Sequence, residues 1–161
     1  MKRYVVLFLL IVLSLFCATV NAQDLKSQLD VITAITPHNN KTDVESAAID
    51  SINYKSTLLY VYTGPATYTE SNKLEIKLTQ CDTQNGTYTP VLERDVWCDE
   101  TVTASGTVLT LNKQLTATST YKILYIGRRN YIKVKCDYSG SISESPLVYV
   151  DLIQGGKIVQ K

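Results

Sequence analysis

The sequence predicts an all-β chain: a single β-sandwich, jelly-roll or immunoglobulin-like, behind an N-terminal hydrophobic leader. Three observations predict it. Apolar residues recur with a period of two along several short runs. Those runs are rich in Val, Ile, Thr and Tyr, which suit a pleated, half-buried surface. Turn signals separate the runs at short intervals, and no window of about a dozen residues beyond the leader holds the 3.6-residue period of an amphipathic helix.

The elements follow in order. Met1-Lys2-Arg3 is basic, Tyr4 to Val20 carries no charge, and Val20-Asn21-Ala22 offers small or β-branched residues where a signal peptidase reads. Residues 1–22 are therefore read as a signal peptide cleaved after Ala22, or as a retained anchor entering the membrane N-terminus in. Lipidation at Cys17 is disfavoured by bulky Phe16 before it. Residues 23–43 read as a linker or arm, with a helical turn or two within Asp24–Ile35 ended by Pro37 and Asn39-Asn40. The sandwich is expected over 44–161.

Within it, Lys73–Thr79 and Asn130–Tyr138 alternate strictly between apolar and polar residues. Ser56–Thr63, Tyr121–Gly127 and Pro146–Ile153 are denser apolar runs of strand length, and Ala47–Ile52, Thr87–Leu92 and Thr107–Leu111 are shorter candidates. Gly64-Pro65, Asn85-Gly86, Ser105-Gly106, Gly127–Asn130 and Ser139-Gly140-Ser141 punctuate them. Frequent turns between short strands point to a sandwich or barrel. The expected core is Leu74, Ile76, Leu78, Ile123, Ile132, Val134 and Leu147, because a one-residue slip would turn each alternating set to solvent.

Composition excludes several functions. The chain has 161 residues, of which 19% are charged, and its net charge is +1. Removing Lys2 and Arg3 with the leader turns that into −1, so no electrostatic footprint for nucleic acid exists. One histidine and no His/Cys cluster argue against a metal site, and no cofactor is implied. His38 beside Pro37 reads as an exposed loop residue without a third group to hold it for catalysis. Asp95 with Asp99, and Glu93 with Glu100, read as a solvated acidic loop rather than a catalytic carboxylate pair or a Ca²⁺ loop. The chain is therefore expected to be no enzyme.

The exported part holds Cys81, Cys98 and Cys136, an odd number that allows one intrachain bridge. Cys81–Cys98 closes the shortest loop and is the expected pair, against the alternative of three free thiols. Cys136 shares a face with Ile132 and Val134 and reads as a buried hydrophobe. Asn40-Lys-Thr42 and Asn85-Gly-Thr87 match glycosylation sequons, which matter only in a eukaryotic secretory host. Tyr supplies 11 residues, and Tyr60, Tyr62 and Tyr68 read equally as interface rings or as core.

Two stretches carry a family resemblance. Asp82-Thr-Gln-Asn-Gly-Thr-Tyr-Thr-Pro-Val-Leu-Glu93 follows the strand Leu74–Gln80, and Tyr125-Ile-Gly-Arg-Arg-Asn-Tyr-Ile-Lys-Val-Lys135 forms a late hairpin. Together, over roughly residues 43–153, they resemble a family of small all-β virion structural proteins encoded among the head and tail genes of tailed bacteriophages and prophages. The resemblance implies a capsid-associated or decoration role without catalysis.

The expected partner is a protein lattice, capsid or other virion protein, or the chain itself at many copies, with no nucleic acid and a membrane only through a retained leader. Tyr68, Arg128, Arg129 and Asn130 are the expected contact patch, since an Arg fork pairs with carboxylates and a Tyr ring buries area at low entropic cost. The alternative is an exported cell-surface or periplasmic β-sandwich binding module.

Overall fold

The computed structural model describes residues 29–38, 42–141 and 146–156. The leader with Cys17 and the Ala22 cleavage site, and Asn40 of the first sequon, lie outside them. Eleven strands make up the described chain: β1 (Asp30–His38), β2 (Val44–Glu45), β3 (Ile49–Asp50), β4 (Ser56–Thr63), β5 (Lys73–Cys81), β6 (Thr89–Pro90), β7 (Val96–Trp97), β8 (Thr107–Leu111), β9 (Ser119–Tyr125), β10 (Tyr131–Ser139) and β11 (Val148–Gly155). A 3₁₀ turn at Glu93–Asp95 leads into β7.

Two antiparallel sheets result. The five-stranded sheet has the order β1-β11-β4-β9-β7, with β4 at its centre. The six-stranded sheet runs β2-β10-β5-β6, with β3 also on β10 and β8 also on β5. The alternating sequences explain the pairing. β5 and β10 run in unbroken register from Tyr131 opposite Cys81 to Ser139 opposite Lys73. That register turns Leu74, Ile76 and Leu78 inward together with Ile132, Val134 and Cys136. From the other sheet, Leu59, Val61, Ile123, Val150 and Leu152 meet them in one buried cluster. Each such aliphatic side chain contributes about 1.5–3 kcal/mol against the entropy of ordering the chain. Positive-φ Gly106 and Gly140 close the tight turns before β8 and after β10. A Cβ on Gly106 would stand 2.5 Å from the Leu78 carbonyl oxygen, so that turn requires glycine.

The structure departs from the sequence reading at five places. Tyr125–Lys135 is no hairpin: β9 lies in the five-stranded sheet and β10 in the other, so Arg128–Asn130 sit on a loop that crosses between sheets. Leu147 is 49% exposed, not core. Val148 lies opposite Thr63, which points inward, and antiparallel partners share a face. Val148, Val150 and Leu152 therefore fill the interior, and Leu147 turns out. The arm read over 23–43 supplies β1 instead of a helical turn: Asp30–His38 adds to the free edge of β11 and packs Ile32, Ala34 and Ile35 against the core. His38 accordingly ends a strand, its ring edge-on to Tyr138 at 6.4 Å, instead of hanging in a loop.

Tyr68 is 2% exposed and belongs to the interior, not to a contact patch. Reciprocal backbone hydrogen bonds between Ala66 and Leu115 (3.0 and 2.8 Å) hold its loop down, and its hydroxyl lies 3.3 Å from Thr63 Oγ1. Burial pushes its phenol pKa up. Finally, the Cys81–Cys98 bridge is not formed; Cys81, Cys98 and Cys136 are free thiols. Cys81 ends β5 in one sheet, whereas Cys98 follows edge strand β7 of the other and donates its S–H to the Glu100 carbonyl at 3.0 Å. Cys136 is fully buried, which pushes its thiol up to about 12.

Candidate functional site

The two sheets present outer faces of opposite chemistry. On the six-stranded sheet the outward positions of β5 and β10 are charged, and the register sets Lys135 opposite Lys77 and Asp137 opposite Glu75. Like charges directly opposed are unfavourable. Here the side chains reach diagonally instead: Lys77 pairs with Asp137 and, at 3.2 Å, with Glu75; Lys73 pairs with Glu75 at 2.8 Å. Lys135 bridges Asp137 at 2.7 Å and Asp43 at 2.8 Å, and Lys133 reaches Glu45 at 3.0 Å. Partial burial would raise the Asp137 carboxyl, but hydrogen bonds from Lys135 and Lys77 hold it well below the usual carboxylate range. Every lysine on these two strands is satisfied within the chain.

The five-stranded sheet is different. Its register builds three rows on the solvent side. Val31, Ile153, Leu58, Leu124 and Trp97 are successive neighbours across all five strands. Beside them, Thr33, Asp151, Tyr60 and Lys122 form a second row, and Tyr149, Tyr62 and Thr120 a third. Val31 is 70% and Trp97 71% exposed at the two edges. Tyr62 stacks on Tyr149 at 4.2 Å between ring centroids and on Tyr60 at 6.3 Å, and the Lys122 ammonium sits 5.6 Å from the Tyr60 ring centre. Outward aliphatic and aromatic residues thus run across this sheet, interrupted in the middle row by Thr33, Asp151 and Lys122.

A groove of about 790 Å³ opens at one end of the molecule, between the Thr89–Asp95 segment and the β9–β10 loop. Arg94, Arg128 and Arg129 rim it, and Leu92, Pro90 and Ile126 line its walls. Buried Gln80 forms its floor, donating from Nε2 to Asp95 Oδ2 at 2.9 Å and accepting from the Tyr125 hydroxyl at 2.8 Å. Burial pushes that phenol up to about 12. The β9–β10 loop is pinned: Arg129 pairs with Asp82, Asn130 Nδ2 donates to the Asp82 carbonyl at 2.9 Å, and Ser51 donates to the Arg129 carbonyl at 2.8 Å. Arg94 and Arg128 make no ion pair among the described residues.

Of the expected patch, Arg128 and Arg129 thus stand together at this rim; Asn130 follows them in the pinned loop without lining the groove, and Tyr68 does not join them. Two of the four carboxylates considered for chemistry have structural partners: Asp95 accepts from Gln80, and Glu100 accepts the Thr110 amide at 2.8 Å. Among the described residues no three His, Cys, Asp or Glu side chains converge on a metal site, and no helix is long and apolar enough to cross a membrane. The apolar row went unread in the sequence. Its signal is there in the doublets Leu58-Leu59, Ile123-Leu124 and Leu152-Ile153, which place apolar residues on both faces of a strand, the pattern of a sheet covered on both sides.

No family model matches the chain, and no curated protein does. Among solved structures, it is similar to the SPBc2 prophage-derived protein YomS at 13% identity and a TM-score of 0.41, over 80% of this chain and 93% of that one. It is also similar to the infectious bursal disease virus VP2 subviral particle at 14% identity and 0.41, over 81% of this chain and 32% of that one. A third similar structure is the CBM36-1 domain of a multidomain xylanase from the hindgut metagenome of Trinervitermes trinervoides, at 9% identity and 0.38, over 81% and 99%. The chain spans about a third of the viral chain's length.

Proposed function

We propose that this chain is a non-enzymatic structural protein of a phage-type particle, present at many copies and held there by protein–protein contacts. The observation that carries the assembly role is the open apolar face of the five-stranded sheet, set against a second face whose charges are all used internally. A catalytic protein needs a pocket with a nucleophile or acid–base pair; an assembly protein needs a rigid scaffold and a patch that loses water on docking. The virion assignment draws on the resemblance of the Asp82–Glu93 and Tyr125–Lys135 stretches. Strand order supports it: β1-β11-β4-β9 over β2-β10-β5-β8 is the double Greek key of a jelly roll, an architecture used by viral capsid and lectin domains. That last support is analogy of fold.

In this reading the arginine-rimmed groove takes an acidic segment of the particle lattice. Arg128 and Arg94 supply unpaired forks for carboxylates, Arg128 from the pinned loop and Arg94 from the 3₁₀ turn, at low entropic cost. Repetition over the lattice supplies avidity to a weak single contact.

Quantitative mass spectrometry of purified particles tests it. Many copies per particle are expected, and Arg94→Glu with Arg128→Glu lowers the copy number several-fold while the variant's thermal unfolding stays within about 1 kcal/mol of the parent. A chain absent from particles and recovered only as a soluble exported protein overturns the reading, in favour of an exported cell-surface or periplasmic binding module.

A further inference from the structure

We infer that the open face of the five-stranded sheet is covered by a second copy of this chain, packed face to face about a two-fold axis that runs along β4. The inference rests on the reading of that face as a docking surface, and it names the occupant.

The register makes the face self-complementary. β4 is the central strand, with β11 and β1 on one side and β9 and β7 on the other. A two-fold parallel to β4 keeps each row facing its own copy and exchanges left for right. Leu58 then meets Leu58, Leu124 meets Ile153, and Trp97 at one edge meets Val31 at the other. In the middle row the exchange sets Lys122 of each copy opposite Asp151 of the other, across Tyr60. These two charges make no ion pair within the chain among the described residues, unlike the lysines on β5 and β10. An isologous contact requires this reciprocity, residue i on j and j on i.

A two-fold perpendicular to the strands would instead bring Lys122 onto Lys122 and Asp151 onto Asp151. The charges therefore select the axis as well as the partner. Tilting that axis by about 15° from β4 gives the roughly 30° crossing of aligned sheets, whose faces interdigitate about 10 Å apart.

Area sets the strength. The three rows hold five, four and three positions, and with strands about 4.8 Å apart and rows about 7 Å apart they cover roughly 400 Å² per copy. Doubled, that falls short of the roughly 1,000 Å² a stable specific interface clears, so the pairing is weak and transient, with dissociation in the tens of micromolar. The pair forms readily where copies are concentrated, as on an assembling particle.

Sedimentation equilibrium of the purified full chain reads the proposal directly. The expected mass rises from one chain toward two between about 1 and 100 µM. Lys122→Asp alone and Asp151→Lys alone each weaken pairing at least about tenfold, and the two together restore it to within about threefold of the parent. Both positions are on the surface, and near-ultraviolet circular dichroism checks that each variant remains folded. A concentration-independent single-chain mass overturns the proposal, as does pairing that both reversals weaken without mutual rescue. If Trp97 and Tyr62 resist oxidative labelling in a single chain, residues of the chain itself cover the face, which also overturns it. A chain that pairs but is absent from particles leaves this inference standing and removes the virion reading. A chain that is monomeric yet loses its place in particles when Leu58 becomes Asp removes the inference and leaves the virion reading.

Discussion

The outer faces of the two sheets are built on the same backbone geometry and differ almost wholly in what their outward positions carry. On β5 and β10, three lysines share carboxylates in one network and the fourth, Lys133, pairs with Glu45. On β4, β9 and β11, leucines, isoleucine and stacked tyrosines are half-buried on the outer side, with Lys122 and Asp151 flanking Tyr60 two strands apart. A satisfied charged face stays solvated because displacing its water gains nothing. An apolar face gains by losing water, at about 25 cal/mol per Å². The proposed pairing surface follows from that difference.

The sharpest way to break that comparison is to place the same charge on the inner and outer sides. Ile76→Asp buries an unpaired carboxylate in the shared core and should leave no cooperative unfolding transition, since several kcal/mol exceeds what a marginal domain spares. Leu58→Asp, on the open face, should fold with a stability change under about 1 kcal/mol by thermal denaturation. A Leu58→Asp chain that fails to fold would mean the face is already buried.

On the charged side, Asp137→Asn should cost about 1 kcal/mol at neutral pH, measured by urea unfolding. Its sign with pH is fixed. The native carboxyl is held below its unfolded value, so its contribution is complete above about pH 4 and is lost as pH falls toward the native value. Lys77 and Lys135 are raised, Lys77 against the pull of burial and Lys135 by its bonds to Asp137 and Asp43. Their contribution is complete below about pH 10 and is lost above it. The parent should show a flat plateau between those limits, and the variant a shallower acid limb.

Tyr62→Ala removes the middle ring of the stack and should lower stability by about 0.5–1.5 kcal/mol. Its larger effect is expected on pairing, read by sedimentation. The smallest effect falls on the thiols: Cys81→Ser and Cys98→Ser should each change stability by under about 0.5 kcal/mol, because neither closes a loop. Peptide mapping after alkylation should find both cysteines labelled in the native chain and Cys136 labelled only on unfolding.

The alternation of Leu74, Ile76 and Leu78, and of Ile132, Val134 and Cys136, dictated by itself both the strand assignment and the inward face, because side chains on a strand have only two directions. The same logic correctly separated β4, β8 and β9 by their turns. It could not read Pro146–Ile153, where both parities are apolar; pairing of Val148 with Thr63 decided that Leu147 faces out. Residues 30–38 looked like an arm because a lone edge strand has no local signal; the exposed edge of β11 made it one. Tyr68 was equally readable as core or contact until the Ala66–Leu115 bridge turned its loop inward.

Sequence by itself determined an all-β chain with one alternating core and an arginine pair in the loop between two strong strands. Only the tertiary structure decided that outward residues from five strands, far apart in the chain, share three rows. Periodicity is a local property of one strand. The chemistry of a face depends on which strands are neighbours and in what register, and that is settled by backbone hydrogen bonds between segments as distant as Val31 and Ile153.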